Sequence, residues 1–203
     1  MKFLFMYNFS SACERNKDHL LLALTPWFKQ STSVFEIGSY SGQHAFHFCQ
    51  AFPHLQWQMS DRVEHIAGLA SNLEQADLAN CLPPQELDVT NAKHWPDQAY
   101  DIVYTTNTLH IMSWQSVEKF LSHLSKVCKG GSLFVVYGPF KYQGNYTSDS
   151  NAQFQQWLQD RDPLSGIRDF ELVDNLIQQQ GFELLSDTSM PANNQLIIWK
   201  MKS

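Results

Sequence analysis

Residues 34–44 read VFEIGSYSGQH. Val34 to Ile37 is an apolar run with one carboxylate, Glu36, set inside it, and it reads as a short strand. Gly38 and Gly42 follow, and Ala45 to Phe52 has the spacing of a helix with Phe48 and Phe52 on its apolar side, stopped by Pro53. A strand, a glycine-bearing turn and a helix put the turn at the carboxyl edge of a sheet, where open α/β folds bind ligands. The glycines are spaced G-x-x-x-G. Dinucleotide binding asks for G-x-G-x-x-G with the pyrophosphate on a helix N-terminus, so this spacing weighs against NAD. A carboxylate two positions before Gly38 suits a cationic ligand better than a pyrophosphate. Tyr40 stands where a middle glycine would be natural, and needs a backbone conformation open to a residue with a Cβ.

Strand and helix alternate outward from this stretch. Helical spacing covers residues 14–29, 66–79, 117–127 and 172–180, with strands at 55–59, 85–89, 100–105 and 132–137. Pro83-Pro84 reads as the breaker after the second of those helices, and Lys129-Gly130-Gly131 as the cap of the third. Residues 141–168 are polar and read as a lid or insertion, with one helix near 154–158. Phe182 to Leu185 and Leu196 to Trp199 read as terminal strands, a hairpin at an antiparallel edge. The alternation predicts an α/β fold, doubly wound on a mostly parallel sheet covered on both faces. With 203 residues and no linker or repeat, one domain over 1–203 is expected.

Hydrophobic residues make up 43% of the chain and the net charge is −6, with Lys and Arg scattered. That argues against a nucleic-acid partner, which needs a basic footprint. The opening MKFLFMYNFSSA is interrupted too early for a leader, and no run is long enough to span a membrane. Cys13, Cys49, Cys81 and Cys128 are far apart and read as free thiols. A cytoplasmic protein is expected.

FEIGSYSGQH resembles motif I of the class I S-adenosylmethionine (SAM) dependent methyltransferases, usually E/D-x-G-x-G-x-G. WQMSD, ELDVT, YDIVYTTNTLH and KGGSLFVVYGPF resemble the later motifs of that superfamily in order. The fuller series, from ERNKD through NTLHIMSW, YGPF, TSDSN and RDPLSGIRD to PANN, is similar to one small methyltransferase-like family of unknown function. The resemblance implies a seven-stranded methyltransferase fold and SAM as cofactor. It implies Glu36, Gly38 and Gly42 at the amino-acid end, Asp61 on the ribose, Asp88 and Val89 on the adenine, and Asn107 on the floor near the methyl group. His110 and Tyr137 become the candidate bases, and Arg15, Asn16, Asn151, Arg161 and Arg168 the candidate acceptor-binding residues. The acceptor implied is a small molecule, since no added recognition domain is visible. An Asp/Asn-Pro-Pro-Tyr tetrapeptide is missing, which weighs against methylation of adenine or glutamine nitrogens.

Each of these residues also has a plain structural reading. Glu36 would cap loop amides or pair with a core arginine. Asp61 would be a helix N-cap, and Thr90 beside Asp88 likewise. His110 would be a hydrogen-bonded structural histidine. His44 and His47, three apart on a helix, read as packing or surface residues rather than a metal pair, for want of a third ligand. TSDSN and RDPLSGIRD would be solvated loops rather than a lid with an arginine fork, and PANN a hairpin turn. Trp95, Trp114, Tyr137 and Trp157 would be core. A noncatalytic SAM- or nucleotide-binding protein is the alternative to an enzyme.

Overall fold

Asn16, Leu20, Leu24 and Phe28 recur every four residues and form the buried stripe of the first helix, α1 (Ser11–Phe28), whose N-cap Ser10 accepts a hydrogen bond from the Cys13 amide. In the computed structural model, which describes residues 5–203, five further helices follow: α2 (Gln43–Ala51), α3 (Val63–Ala76), α4 (Trp114–His123), α5 (Asp149–Arg161) and α6 (Phe170–Gln179). The first residues of the opening stretch considered as a leader, 1–4, lie outside the described residues. No described helix is long and apolar enough to cross a membrane.

The long strands are β1 (Ser33–Ile37), β2 (Gln56–Asp61), β3 (Cys81–Glu86), β4 (Tyr100–Thr106), β5 (Cys128–Gly138), β9 (Phe182–Met190) and β10 (Asn194–Met201). They form a seven-stranded sheet in the order β3-β2-β1-β4-β5-β10-β9. β1 to β3 pair in parallel, and β10 runs antiparallel to both β5 and β9. This is the doubly wound, mostly parallel α/β sheet with an antiparallel end that the alternation predicts. A small second sheet, β7-β6-β8, joins β6 (Phe140–Tyr142), β7 (Asn145–Tyr146) and β8 (Arg168–Asp169).

Backbone contacts group the chain into two compact units: residues up to Asp88 with Tyr100–Tyr104, and Val89–Ala99 with Thr105–Ser203. The core of the first is an aromatic cluster. Phe48 lies 5.2 Å from Phe28 and 5.4 Å from Trp57, and Trp57 lies 5.7 Å from Tyr104, ring centre to ring centre. In the second, Phe134 lies 5.8 Å from both Phe120 and Trp199.

Several elements differ from expectation for identifiable reasons. Pro83 and Pro84 do not break the chain between elements; they lie inside β3, an edge strand, where a missing N–H leaves no ladder bond unmade on the open side. The pairing of β2 with β3 shifts register between Gln58 and Ser60, beside these prolines. Lys129-Gly130-Gly131 does not cap a helix but begins β5, with Gly131 at φ 88°. The helix of the 141–168 segment is longer than 154–158, because Ser148 caps it by accepting from the Asn151 amide. The first three residues of PANN form a short 3₁₀ turn, Pro191–Asn193, with Ala192 and Asn193 left-handed, and Asn194 begins β10.

Candidate functional site

Glu36 sits in β1, one residue short of its end, and is 2% exposed. Its carboxylate accepts the Trp57 indole N–H at 3.0 Å and a hydrogen bond from Ser39. Among the described residues, neither a loop amide nor a core arginine is its partner. Burial raises its pKa to about 7, with Asp61 adding to the rise. Next to it, Ser60 at the end of β2 donates its hydroxyl to the Glu36 carbonyl at 2.6 Å and accepts the Gly38 and Ser39 amides on its own carbonyl, both at 3.0 Å. The two parallel strands are thus stitched together where the loop leaves them.

The loop itself alternates into left-handed backbone, at Gly38 (φ 79°), Tyr40 (φ 51°) and Gly42 (φ 80°). Tyr40 therefore keeps the conformation of a middle glycine and accepts the steric cost of its Cβ. Its ring is 42% exposed and meets the His65 ring of α3 edge-on at 5.0 Å, which takes it off the loop backbone. Asp61 holds the loop from the other side: Oδ2 accepts the Tyr40 amide at 2.6 Å and Oδ1 the Arg62 amide at 2.7 Å. Asp61 is not the N-cap of α3, a position that falls on Arg62. Burial lifts its pKa while those two amides oppose the rise.

Gly42 has a packing role that the motif does not announce. A Cβ there would lie 2.5 Å from Phe46 Cζ and 2.9 Å from Leu69 Cδ1. Three further residues that sequence reasoning missed fix the loop. Trp57 holds Glu36. Gln43 accepts the Ser10 amide at 2.7 Å and the Ser41 hydroxyl at 2.8 Å. Buried Asn72 donates to the Ser41 and Tyr7 carbonyls, both at 2.9 Å. Asn72 was findable: it is a polar residue on the buried stripe Leu69, Asn72, Ala76 of α3.

Of the α1 candidates, Arg15 is exposed and Asn16 is buried. Asn16 Oδ1 accepts from His44 Nε2 at 2.6 Å, and burial holds the His44 pKa down at about 3, so that ring is neutral. His47 faces Asp18 at 3.0 Å. Asp88 is exposed, two residues beyond the end of β3.

In the second unit, Val89 accepts the Trp95 indole N–H on its carbonyl at 3.2 Å. Asn107 is left-handed (φ 56°), and its amide donates to the Tyr137 carbonyl at 2.8 Å. Gly138 lies against both Asn107 and His110: a Cβ there would be 3.6 Å from His110 Nδ1 and 3.7 Å from Asn107 Oδ1. His110 is 6% exposed and its ring meets Phe154 of α5 edge-on at 5.4 Å. Burial, with the Arg168 and Arg161 cations adding to it, holds its pKa down at about 4. Tyr137 is buried in β5.

The arginine pair is directed elsewhere than onto a shared anion. Arg161 lies 5.6 Å over the Trp157 ring. Arg168 donates to backbone carbonyls at 109, 112 and 164. Asn151 donates to Thr147 Oγ1 at 2.8 Å and to the Asn193 carbonyl at 2.9 Å, while Asn193 donates to Ser150 at 3.0 Å. TSDSN and PANN are therefore interlocked rather than independent solvated loops. Trp95 is core, but Trp157 is 53% exposed, stacked on Phe154.

Among the solved structures similar to this chain are three described as methyltransferases. An O-methyltransferase family protein from Burkholderia thailandensis superposes with a TM-score of 0.78 at 15% identity, over 95% of this chain and 60% of that one. Human N-acetylserotonin methyltransferase in complex with SAM gives 0.76 at 16% identity, over 95% and 53%. An O-methyltransferase family 2 protein from Planctomyces limnophilus in complex with apigenin gives 0.71 at 14% identity, over 91% and 61%. This chain thus spans between about half and three fifths of their lengths, and at these identities the likeness is one of fold: the Rossmann-like fold of the SAM-dependent methyltransferases. A family described as a protein of unknown function, DUF938, matches residues 7–201, and the chain belongs to that family.

Proposed function

We propose that this protein is a SAM-dependent methyltransferase of a small-molecule acceptor, formed as one domain with 141–168 over the acceptor. The observation that carries the reading is the pair of buried carboxylates, Glu36 and Asp61, at the ends of adjacent parallel strands on either side of a left-handed loop. The donor chemistry fits SAM. Glu36, a carboxylate raised to about 7 by burial, is a site that an ammonium would restore to the anion. Each Asp61 oxygen accepts one amide and has a second lone pair for a ribose hydroxyl. Tyr40 carries its ring to His65 of α3. Gly38 and Gly42 would frame the amino-acid end, Asp88 and Val89 the adenine, and Asn107 the floor.

The bound cofactor would supply an electrophilic methyl group on a sulfonium. What the chain contributes is alignment, worth about 7–11 kcal/mol in good cases, and exclusion of water. Its neutral His110 would accept a proton on a ring nitrogen, and Tyr137 is the second candidate base. Arg15, Asn16, Asn151, Arg161 and Arg168 would shape or support the acceptor side.

One observation favours a second reading, a SAM-binding protein without transferase activity. An imidazole held at about 4 is a weak base. A hydroxyl near 10 would give up its proton to it at a cost of roughly 8 kcal/mol. Thermal unfolding with SAM, S-adenosylhomocysteine or NAD tests both. Ligand at 100 times its Kd adds about 2.7 kcal/mol, or roughly 5–11 °C at this size. A shift with the first two alone, lost in Asp61→Ala, is expected. No shift at millimolar SAM would end both SAM readings, and a shift without release of S-adenosylhomocysteine from a metabolite pool would favour the second.

A further inference from the structure

Four consecutive carbonyls follow β4, and each has its own donor from one distant segment. Arg168 Nε donates to the Leu109 carbonyl at 3.0 Å, the Gly166 amide to that of His110 at 2.8 Å, the Ser165 hydroxyl to that of Ile111 at 3.1 Å, and Arg168 Nη2 to that of Met112. Residues 108–112 make a turn outside any ladder, with the Ile111 and Met112 amides both on the Thr108 carbonyl. Without donors from 165–168 those carbonyls would be buried unpaired or left to water. The run LHIM is thus held carbonyl by carbonyl by SGIR.

The clamp is itself anchored. Arg168 begins β8, which pairs in parallel with β6 through Phe140. The Ile167 amide donates to Gln155 Oε1 of α5 at 2.7 Å. Gly166 leaves room for Gln155: a Cβ there would lie 2.9 Å from Gln155 Nε2, and the Gln155 side chain would have to shift. One turn of α5 therefore touches both sides of the arrangement: Gln155 holds the clamp and Phe154 meets the His110 ring at 5.4 Å. The planar guanidinium suits this task, because its fixed fork reaches carbonyls that a single ammonium could not serve together.

We propose that Arg168 is a positioning residue, which with Ser165 and Gly166 sets the backbone and ring of His110 for transfer to the acceptor. This rests on the methyltransferase reading, and it replaces an anion-binding role for Arg168. The charged groups acting on the His110 ring are Arg168 and Arg161, and both oppose its protonation. Phe154 and Gly138 also lie against the ring.

The test uses the full chain with labelled histidine, the His110 signal being assigned by its loss in His110→Gln. Arg168→Gln removes fork and charge. It should speed hydrogen exchange of the Gly166 amide about tenfold and move His110 titration upward from about 4. Arg168→Lys keeps the charge and loses the fork, so it should speed the exchange while leaving the titration nearly in place. Arg161→Gln, on the surface, should nudge the titration alone. A folded Arg168→Gln with unchanged Gly166 exchange and unchanged His110 titration overturns the proposal. Should Arg168→Gln not fold, unchanged exchange in Arg168→Lys does the same. On the methyltransferase reading, Arg168→Lys should also lower S-adenosylhomocysteine release about tenfold with SAM affinity intact. If wild type shows no SAM-dependent thermal shift, the reading behind the proposal falls, whereas the exchange and titration results stand by themselves.

Discussion

Glu36→Gln should make the ligand-free protein more stable at alkaline pH and no more stable at acidic pH. An ordinary glutamate titrates near 4.5, and Glu36 near 7, because burial disfavours its charge. Below about 4.5 folded and unfolded chains both hold the proton. Between 4.5 and 7 the folded chain holds more of it, so stability falls as pH rises through this window, and above 7 the loss is complete. With each tenfold in proton affinity worth about 1.4 kcal/mol, the full loss is about 3 kcal/mol. Glutamine keeps an oxygen for the Trp57 indole but buries an NH2 group that the acid does not have, at a cost of about 1 kcal/mol. The net gain at pH 8 is about 2 kcal/mol, or roughly 4–8 °C in Tm for a chain of this size. At pH 5 the two proteins should melt within a degree or two. Differential scanning calorimetry of both from pH 5 to 8.5 measures this. A Tm difference that does not widen with pH, or a less stable variant at pH 8, refutes the account of Glu36 as a destabilised carboxylate kept for a cation. The same substitution should abolish stabilisation by SAM.

Gly42→Ala should destabilise by about 2–5 kcal/mol, from left-handed backbone and overpacking against Phe46 and Leu69, seen as a lower urea midpoint at unchanged m. By contrast, Tyr40→Gly should change stability by less than about 1 kcal/mol, because relief of its backbone strain offsets the added freedom of the unfolded chain. Asp61→Ala should cost about 2–4 kcal/mol by leaving the Tyr40 and Arg62 amides unpaired, with faster exchange at both amides as the local signature. His110→Gln should gain relative to wild type as pH falls from 6.5 towards 4, since the unfolded wild-type chain binds a proton that the folded one refuses.

The strand, glycine turn and helix at 34–52 were readable because each depends on neighbours in sequence. The placement of Glu36 and Asp61 at strand ends was readable for the same reason, since an acid at the end of an apolar strand is a local pattern. Pro83-Pro84 was misread because the cost of a proline depends on whether its strand lies at an edge, which residues 81–86 alone do not reveal. The length of α5 was legible in principle from Ser148 preceding Asn151 by three. What sequence did not offer was the assignment of long-range donors. Arg168 looks like a surface cation in a polar segment, yet its donors go to carbonyls more than 50 positions away. Gly42, placed by the resemblance at the amino-acid end of the cofactor, also has to leave room for Phe46 and Leu69, which lie 4 and 27 positions on.

The two prolines of β3 bear on how this protein behaves when crowded. An edge strand offers a template on which a second chain can add a strand, the first step towards polymerisation. At positions 83 and 84 β3 has no amide hydrogens to offer an incoming strand, and its pairing is already out of step beside them. At the opposite edge, β9 carries exposed Glu183 and Asp187. Charge at one margin and missing donors at the other both weigh against the addition of an eighth strand from a neighbouring molecule.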